Sequence, residues 1–245
     1  MTAKQTPNWQ TILEASFAPL ARINEDDTFV GFGGSGALID FGDRRFLCSA
    51  LHVFVNHRIS LQINWVAQQN QTRTLPLRPE LCFETPTTRA RLLDFAICDI
   101  THNLEIPMVQ DLDPNGSGKI LMERPRTIFG KKCLSKPDKI TEYGFAGITL
   151  PKREVHPEIT IGSGIVRTVT GLKYLGDSEG FHNFGLSIDH PGHIYFEGCS
   201  GAPIIDIDGK IVAFVCGGNM ENSTIRGFPA IMAKRFLTKY TEEES

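Results

Sequence analysis

The sequence has no apolar run long enough to cross a bilayer, no block of consecutive basic residues and no Cys-x-x-C pair. The first absence sets aside a membrane-spanning chain. The second, with a formal net charge of only -3, removes the electrostatic footprint expected of a protein that binds nucleic acid or an anionic membrane. The third leaves a zinc ribbon or a thioredoxin-type redox motif unsupported, and no metal or organic cofactor is expected. The opening segment MTAKQTPNWQTILEASF carries one lysine and lacks the apolar stretch of a signal peptide. A cytoplasmic address follows as an expectation, with the six cysteines kept as thiols. Cys48, Cys98 and Cys216 lie in apolar strand-like runs, where free cysteine behaves as a small hydrophobe.

What is present is ordinary in amount and informative in arrangement. Apolar residues make up 41% of the 245 residues and charged residues 22%, enough for one large domain or two small barrels. The first 27 residues mix polar and apolar positions, with a helix expected over Trp9 to Ala21 and broken near Pro19. From Thr28 onward, short runs of Val, Ile, Phe and Leu alternate with Gly, Asp, Asn and Pro turns, the texture of an all-β barrel or sandwich. Such runs are Thr28–Gly33, Gly36–Phe41, Arg45–Ala50, Ile59–Trp65 and Asp94–Ile100, then Ile140–Leu150, Ile159–Val169, Asn183–Ile188, Pro203–Asp206 and Lys210–Cys216. The Pro- and Gly-bearing stretch from Gln110 to Lys139 reads as a linker, and Ala230 to Tyr240 has helical spacing. Ser35-Gly36-Ala37 and Ser200-Gly201-Ala202 each open into a hairpin, which suggests two related β units.

Three segments could carry chemistry. In Glu197-Gly198-Cys199-Ser200-Gly201-Ala202-Pro203, a serine sits among glycines before an apolar strand, where backbone N–H groups can approach a substrate carbonyl. Taken alone, this segment reads equally well as a glycine-rich turn. His52 ends the apolar run Phe46–Phe54, and Asp94 opens the run Asp94–Cys98, where a carboxylate must find partners. Chain order discriminates between hydrolase types. All seven histidines precede Ser200, so the order nucleophile, acid, histidine of α/β-hydrolases is impossible for it. The order His52, Asp94, Ser200 is that of chymotrypsin-type enzymes.

These segments resemble trypsin-like serine peptidases. Ser49-Ala50-Leu51-His52-Val53 is similar to their Thr-Ala-x-His signature, and Asp94-Phe95-Ala96-Ile97 to their Asp-bearing strand. Gly198-Cys199-Ser200-Gly201-Ala202-Pro203 resembles their nucleophile loop, and Gly33-Gly34-Ser35-Gly36-Ala37-Leu38-Ile39 the opening strand of bacterial high-temperature-requirement proteases. The resemblance implies an all-β fold of two six-stranded antiparallel barrels with a short C-terminal helix. The expected units are an N-terminal extension 1–27, a first barrel 28–110, a linker 111–139, a second barrel 140–230, and a helix with its tail at 231–245. It also implies Ser200 as nucleophile, His52 as general base, Asp94 as its orienting acid, and the N–H groups of Gly198 and Ser200 as the oxyanion hole. The substrate is then a protein or peptide. A catalytically silent two-barrel binding domain is the alternative, and a regulatory protein partner is expected if the enzyme is an intracellular effector.

The chain departs from secreted relatives in two places. Val53 stands where they carry a bridging cysteine, and Cys199 stands where they carry the aspartate that pairs with a new N-terminus. The register of the motif puts the nucleophile on Ser200 rather than Cys199. The resemblance places substrate contacts at Ile194, Tyr195, Cys216, Gly217, Gly218 and Gly227, with no carboxylate suited to an Arg or Lys side chain. A small or apolar side chain is expected there. His57 is expected on the surface, His190 and His193 near the pocket in a structural role, and Asp99 on the face opposite Asp94.

Overall fold

The structure is a computed structural model that describes residues 8–66, 69, 71–84, 91–103, 105–113, 119–149 and 164–243, with the backbone alone for 81–84, 91, 92 and 112. Helix α1 (Trp9–Ser16) is followed by strands β1 (Ala18–Ile23), β2 (Phe29–Phe41), β3 (Arg44–Ser49), β4 (Arg58–Val66), β5 (Gln71–Pro76), β6 (Glu80–Glu84) and β7 (Arg91–Asp99). Between the halves come β8 (Met108–Leu112), β9 (Ile120–Pro125) and β10 (Ile128–Gly130). The second half holds β11 (Glu142–Thr149), β12 (Ile165–Ser178), β13 (Phe181–Gly185), the single turn α2 (His193–Phe196), β14 (Pro203–Asp206), β15 (Ile211–Asn219), β16 (Thr224–Pro229) and helix α3 (Ala230–Glu243). Part of the strands expected at Ile140–Leu150 and Ile159–Val169 lies at 150–163, outside the described residues. No described helix is long and apolar enough to cross a membrane.

The second half is a closed barrel, β11-β12-β13-β16-β15-β14. In the first half, β4-β1-β2-β3-β7-β6 are antiparallel neighbours, β5 extends the path beyond β4, and β10 lies parallel to β2. Each half has its own apolar interior. Leu38, Leu47, Ile59, Leu61 and Cys98 fill the first, and Tyr143, Phe145, Leu172, Phe184 and Ile204 the second. A third cluster lies in the seam, because alternate residues of a strand face opposite sides. Leu38 points into the first barrel, while its neighbours Ala37 and Ile39 join Phe46, Phe95, Phe214 and Phe228 in the seam. Phe95 stacks on Phe228 at 4.6 Å between ring centroids and lies 5.2 Å from Phe214. The α3 residues Ala230, Ala233 and Leu237 close this cluster from outside.

Two expectations change here. The helix expected over Trp9 to Ala21 stops at Ser16, and Ala18–Ile23 is instead a strand, β1, hydrogen-bonded to β2 and β4. Pro19 fits because its pairing is with Ser35 alone, and β4 begins pairing only at Leu20, so no ladder bond needs the missing N–H. The stretch expected as a linker carries ordered structure, including β10 against Leu38, Ile39 and Asp40. Its Arg126 also ends α1. The guanidinium Nη1 donates to the Glu14 carbonyl at 3.1 Å and to the Phe17 carbonyl, over a Phe17 ring 4.6 Å away. Thr127 N–H donates to the Ala15 carbonyl at 2.8 Å, so carbonyls that a helix end leaves unpaired are taken up by the connecting segment. Burial, aided by Arg124, pushes the Arg126 guanidinium down to about 9. Arg126→Met leaves the carbonyls of Glu14 and Phe17 without this donor, and urea unfolding is expected to show a loss of about 2 kcal/mol or more.

Candidate active site

Strand β3 delivers the chain to a 3-10 turn at Leu51–Val53. Leu51 and Val53 are buried, and the residue between them, His52, is turned outward with its side chain 46% exposed. Asp94 projects from β7 one residue before Phe95, which is locked in the seam. Both Asp94 carboxylate oxygens lie 2.9 Å from His52 Nδ1, and Oδ1 also accepts the His52 backbone N–H at 3.0 Å. An ionised carboxylate can only accept, so the proton sits on Nδ1 and the Nε2 lone pair is left available. Burial alone would raise the Asp94 carboxyl. The hydrogen bonds and charge of His52 outweigh it and hold the group below its usual value. Cys216 Sγ lies 3.5 Å from the Asp94 carbonyl oxygen and from that of Phe214. Burial, and then the Asp94 charge, push that thiol far up, so it is a neutral neighbour.

The serine loop comes from the other barrel, between α2 and β14. Cys199 N–H donates to Phe196 O at 2.9 Å, Gly201 N–H to Val215 O at 2.7 Å, and Ala202 N–H to Cys199 O at 3.0 Å. Among the described residues the N–H groups of Gly198 and Ser200 donate to no protein acceptor. The loop is held against the first barrel by the fully buried Ser35 of β2. Ser35 N–H donates to Ser200 O at 2.9 Å, and its hydroxyl donates to Gly198 O at 2.9 Å while accepting Ile148 N–H at 3.1 Å. Ser49, three residues before His52, donates its hydroxyl to Ser35 O at 2.6 Å. Gly201 must be glycine. Its φ is +85°, and a Cβ would fall 2.1 Å from both Ser35 O and Ser49 Oγ. The serine loop thus abuts the end of the strand that carries His52.

Cys199 is fully buried in the second barrel, and a Cβ on Gly147 would fall 3.0 Å from its Sγ. Burial pushes its thiol up to about 12, so it holds no thiolate near neutrality. Cys133, Cys199 and Cys216 are free thiols and Cys48 and Cys98 are buried, while the Cys82 side chain lies outside the described residues. Asp99 pairs with Arg44 and accepts Thr101 N–H at 2.8 Å, away from His52. His57 is exposed. Among the described residues no group of three His, Cys, Asp or Glu side chains could hold a metal ion.

A cavity of about 250 Å³ opens beside Ser200, lined among others by Ile194, Phe196, Val215, Gly217, Gly218 and Ile225. A second cavity, of about 490 Å³, reaches Asp94 but not Ser200. Of the residues expected to contact substrate, Ile194, Gly217 and Gly218 lie on the cavity beside Ser200. Tyr195, Cys216 and Gly227 do not. Tyr195 sits under the Arg167 guanidinium at 3.7 Å, and Cys216 lies against Asp94. Gly227 faces the barrel interior, where a Cβ would fall 2.6 Å from Ala213 Cβ. His190 and His193, expected near the pocket, both line this cavity. Ser35 is the other group whose part could not be read from residue type. It stood in a matching motif, and only the folded chain brings it to Gly198.

No family model matches the sequence. No curated protein matches it either. Solved structures do match. The serine endoprotease from Yersinia pestis aligns at 13% identity with a TM-score of 0.50, covering 96% of this chain and 67% of that one. The protein HBP aligns at 12% identity with a TM-score of 0.56, covering 99% and 97%. At these identities the likeness establishes the fold, and the chain has the two-barrel, chymotrypsin-like architecture.

Ser35→Ala leaves Ile148 N–H and Gly198 O without the partner that joins them. A loss of about 1–3 kcal/mol in chemical denaturation is the expected outcome. Ser35→Thr, which keeps the hydroxyl, separates this bond from the volume of the site.

Proposed function

We propose that this chain is a serine endopeptidase. What supports the reading is that the serine loop abuts, through Ser35 and Ser49, the strand that ends at His52. A His52–Asp94 pair with its Nε2 lone pair available comes from the first barrel, and Ser200 comes from the second, in a loop where the N–H groups of Gly198 and Ser200 meet no protein acceptor among the described residues. In this reading Ser200 Oγ attacks the scissile carbonyl carbon while His52 Nε2 takes its proton. The carbonyl oxygen, now negative, accepts from Gly198 and Ser200 N–H, the oxyanion hole. Asp94 stabilises the imidazolium through Nδ1–H and keeps its own charge, in line with its lowered carboxyl. His52 then gives the proton to the leaving amine. An acyl group remains on Ser200, and water removes it by the same steps in reverse. Protein or peptide is the substrate class, and no step calls for a cofactor.

A fluorophosphonate probe tests this directly. Labelling is expected at Ser200 and absent in Ser200→Ala. Asp94→Asn holds His52 in the wrong tautomer and is expected to slow labelling by about three to four orders of magnitude. Cys199→Ala should still label. Labelling that survives Ser200→Ala and is lost in Cys199→Ala would move the nucleophile to the thiol. No labelling, with or without cell extract, returns the chain to a silent two-barrel binding domain. Labelling that needs the extract marks an enzyme switched by a partner.

A further inference from the structure

The cavity beside Ser200 is built around an imidazole. His190 lines it together with His193, Phe196, Val215, Gly217, Gly218 and Ile225. The His190 ring is fixed on several sides. Its backbone N–H donates to Ser223 Oγ at 3.1 Å, its ring meets the edge or face of Phe196 at 5.0 Å, and His193 is 5.5 Å away. Gly192 N–H donates to His190 Nδ1 at 3.1 Å. A nitrogen that accepts a hydrogen bond carries no proton, so in the neutral ring the proton is on Nε2. Burial, then the neighbouring His193, hold His190 below the ordinary histidine value, which keeps the ring neutral near pH 7. Among the described residues Nε2 has no protein partner, and it stands over Gly218, where a Cβ would fall 2.7 Å from it. Glycine at 218 lets the imidazole pack this closely on β15 at the cavity wall.

Resting on the serine-peptidase reading, we infer that His190 Nε2–H is the specificity-determining donor of this cavity, and that the residue before the cut bond is one whose side chain ends in an acceptor oxygen, as in glutamine or glutamate. The cavity sets the fixed His190 donor against the apolar walls of Phe196, Val215 and Ile225, with His193 and Glu197 exposed at its lining, and a pocket selects by such a placed polar group. A lysine or arginine side chain would bring donors to meet a donor. The single carboxylate on the lining, Glu197, is exposed. An aliphatic side chain would leave Nε2–H desolvated and unpaired, and a site made to hydrogen-bond its substrate discriminates against such an analogue. This replaces the small or apolar side chain expected from the sequence.

The test compares peptides identical except for Gln, Glu, Leu, Ala or Arg before the cut bond, with fluorophosphonate labelling run in parallel on every variant. A kcat/KM at least about tenfold higher for Gln or Glu than for Leu, Ala and Arg is expected. The Gln-to-Glu ratio tells which oxygen is preferred. In His190→Ala the preference should collapse while labelling persists, which also shows that the variant is folded. His190→Gln, whose amide still donates, should keep part of it. A labelled enzyme that prefers Arg, Leu or Ala overturns the inference alone, as does a preference unchanged in a labelled His190→Ala. Absence of labelling in the unaltered chain overturns both the inference and the catalytic reading beneath it.

Discussion

Four hydrogen bonds meet at Ser35, and through them the two barrels share one loop. Its N–H reaches Ser200 O, its hydroxyl joins Gly198 O to Ile148 N–H, and its own carbonyl accepts from Ser49. Ser35, Ser49 and Ile148 are buried, where an unmade bond is expensive and a made one fixes position. Two consequences follow. The carbonyls of Gly198 and Ser200 are turned toward the first barrel, while the N–H groups of the same two residues are spent on no protein acceptor among the described residues. Ser49 also ties this arrangement to the strand that ends at His52, so the base and the loop share a rigid reference.

The seam supplies that reference with stiffness. Phe95 stacks on Phe228 of the opposite barrel and neighbours Asp94 in the chain, so the acid is anchored by apolar packing across the interface. The aromatic payload is large and its geometry specific. Polar chemistry on one side of β7 is held in place by apolar contact on the other, through the alternation of the strand.

Much of this was legible in the sequence because its signals were local. The hairpins formed by β2 with β3 and by β14 with β15 announce themselves by strand runs flanking Gly-bearing turns. His52, Asp94 and Ser200 were found by residue type and chain order, and the fold places His52 and Asp94 in direct contact. The two Ser-Gly-Ala segments, noted only as similar, touch through the Ser35 N–H bond to Ser200 O. What was missed depends on distance along the chain. Nothing near Ser16 says that Arg126 will accept the end of α1, so the helix was drawn too long. β1 looked helical because its strand character comes from pairing with β2 and β4. His190 could be placed near the pocket, but the donor role proposed for its Nε2 rests on a tautomer set by Gly192 N–H, which residue type does not reveal.

The bond from Ser35 to Gly198 spans 163 residues. Such a contact closes late in folding, because the entropy of so long a loop must be overcome before the bond can contribute. The first barrel can assemble its histidine and aspartate with no serine beside them, and the serine loop, hydrogen-bonded within the second barrel, meets Ser35 only when the two barrels dock. Cys199 stands where an aspartate would pair with a freed N-terminus, so this chain lacks that means of setting the loop. A partly synthesised or partly folded copy therefore carries the His52–Asp94 pair and the serine loop as separate pieces, joined only when Ser35 meets Gly198.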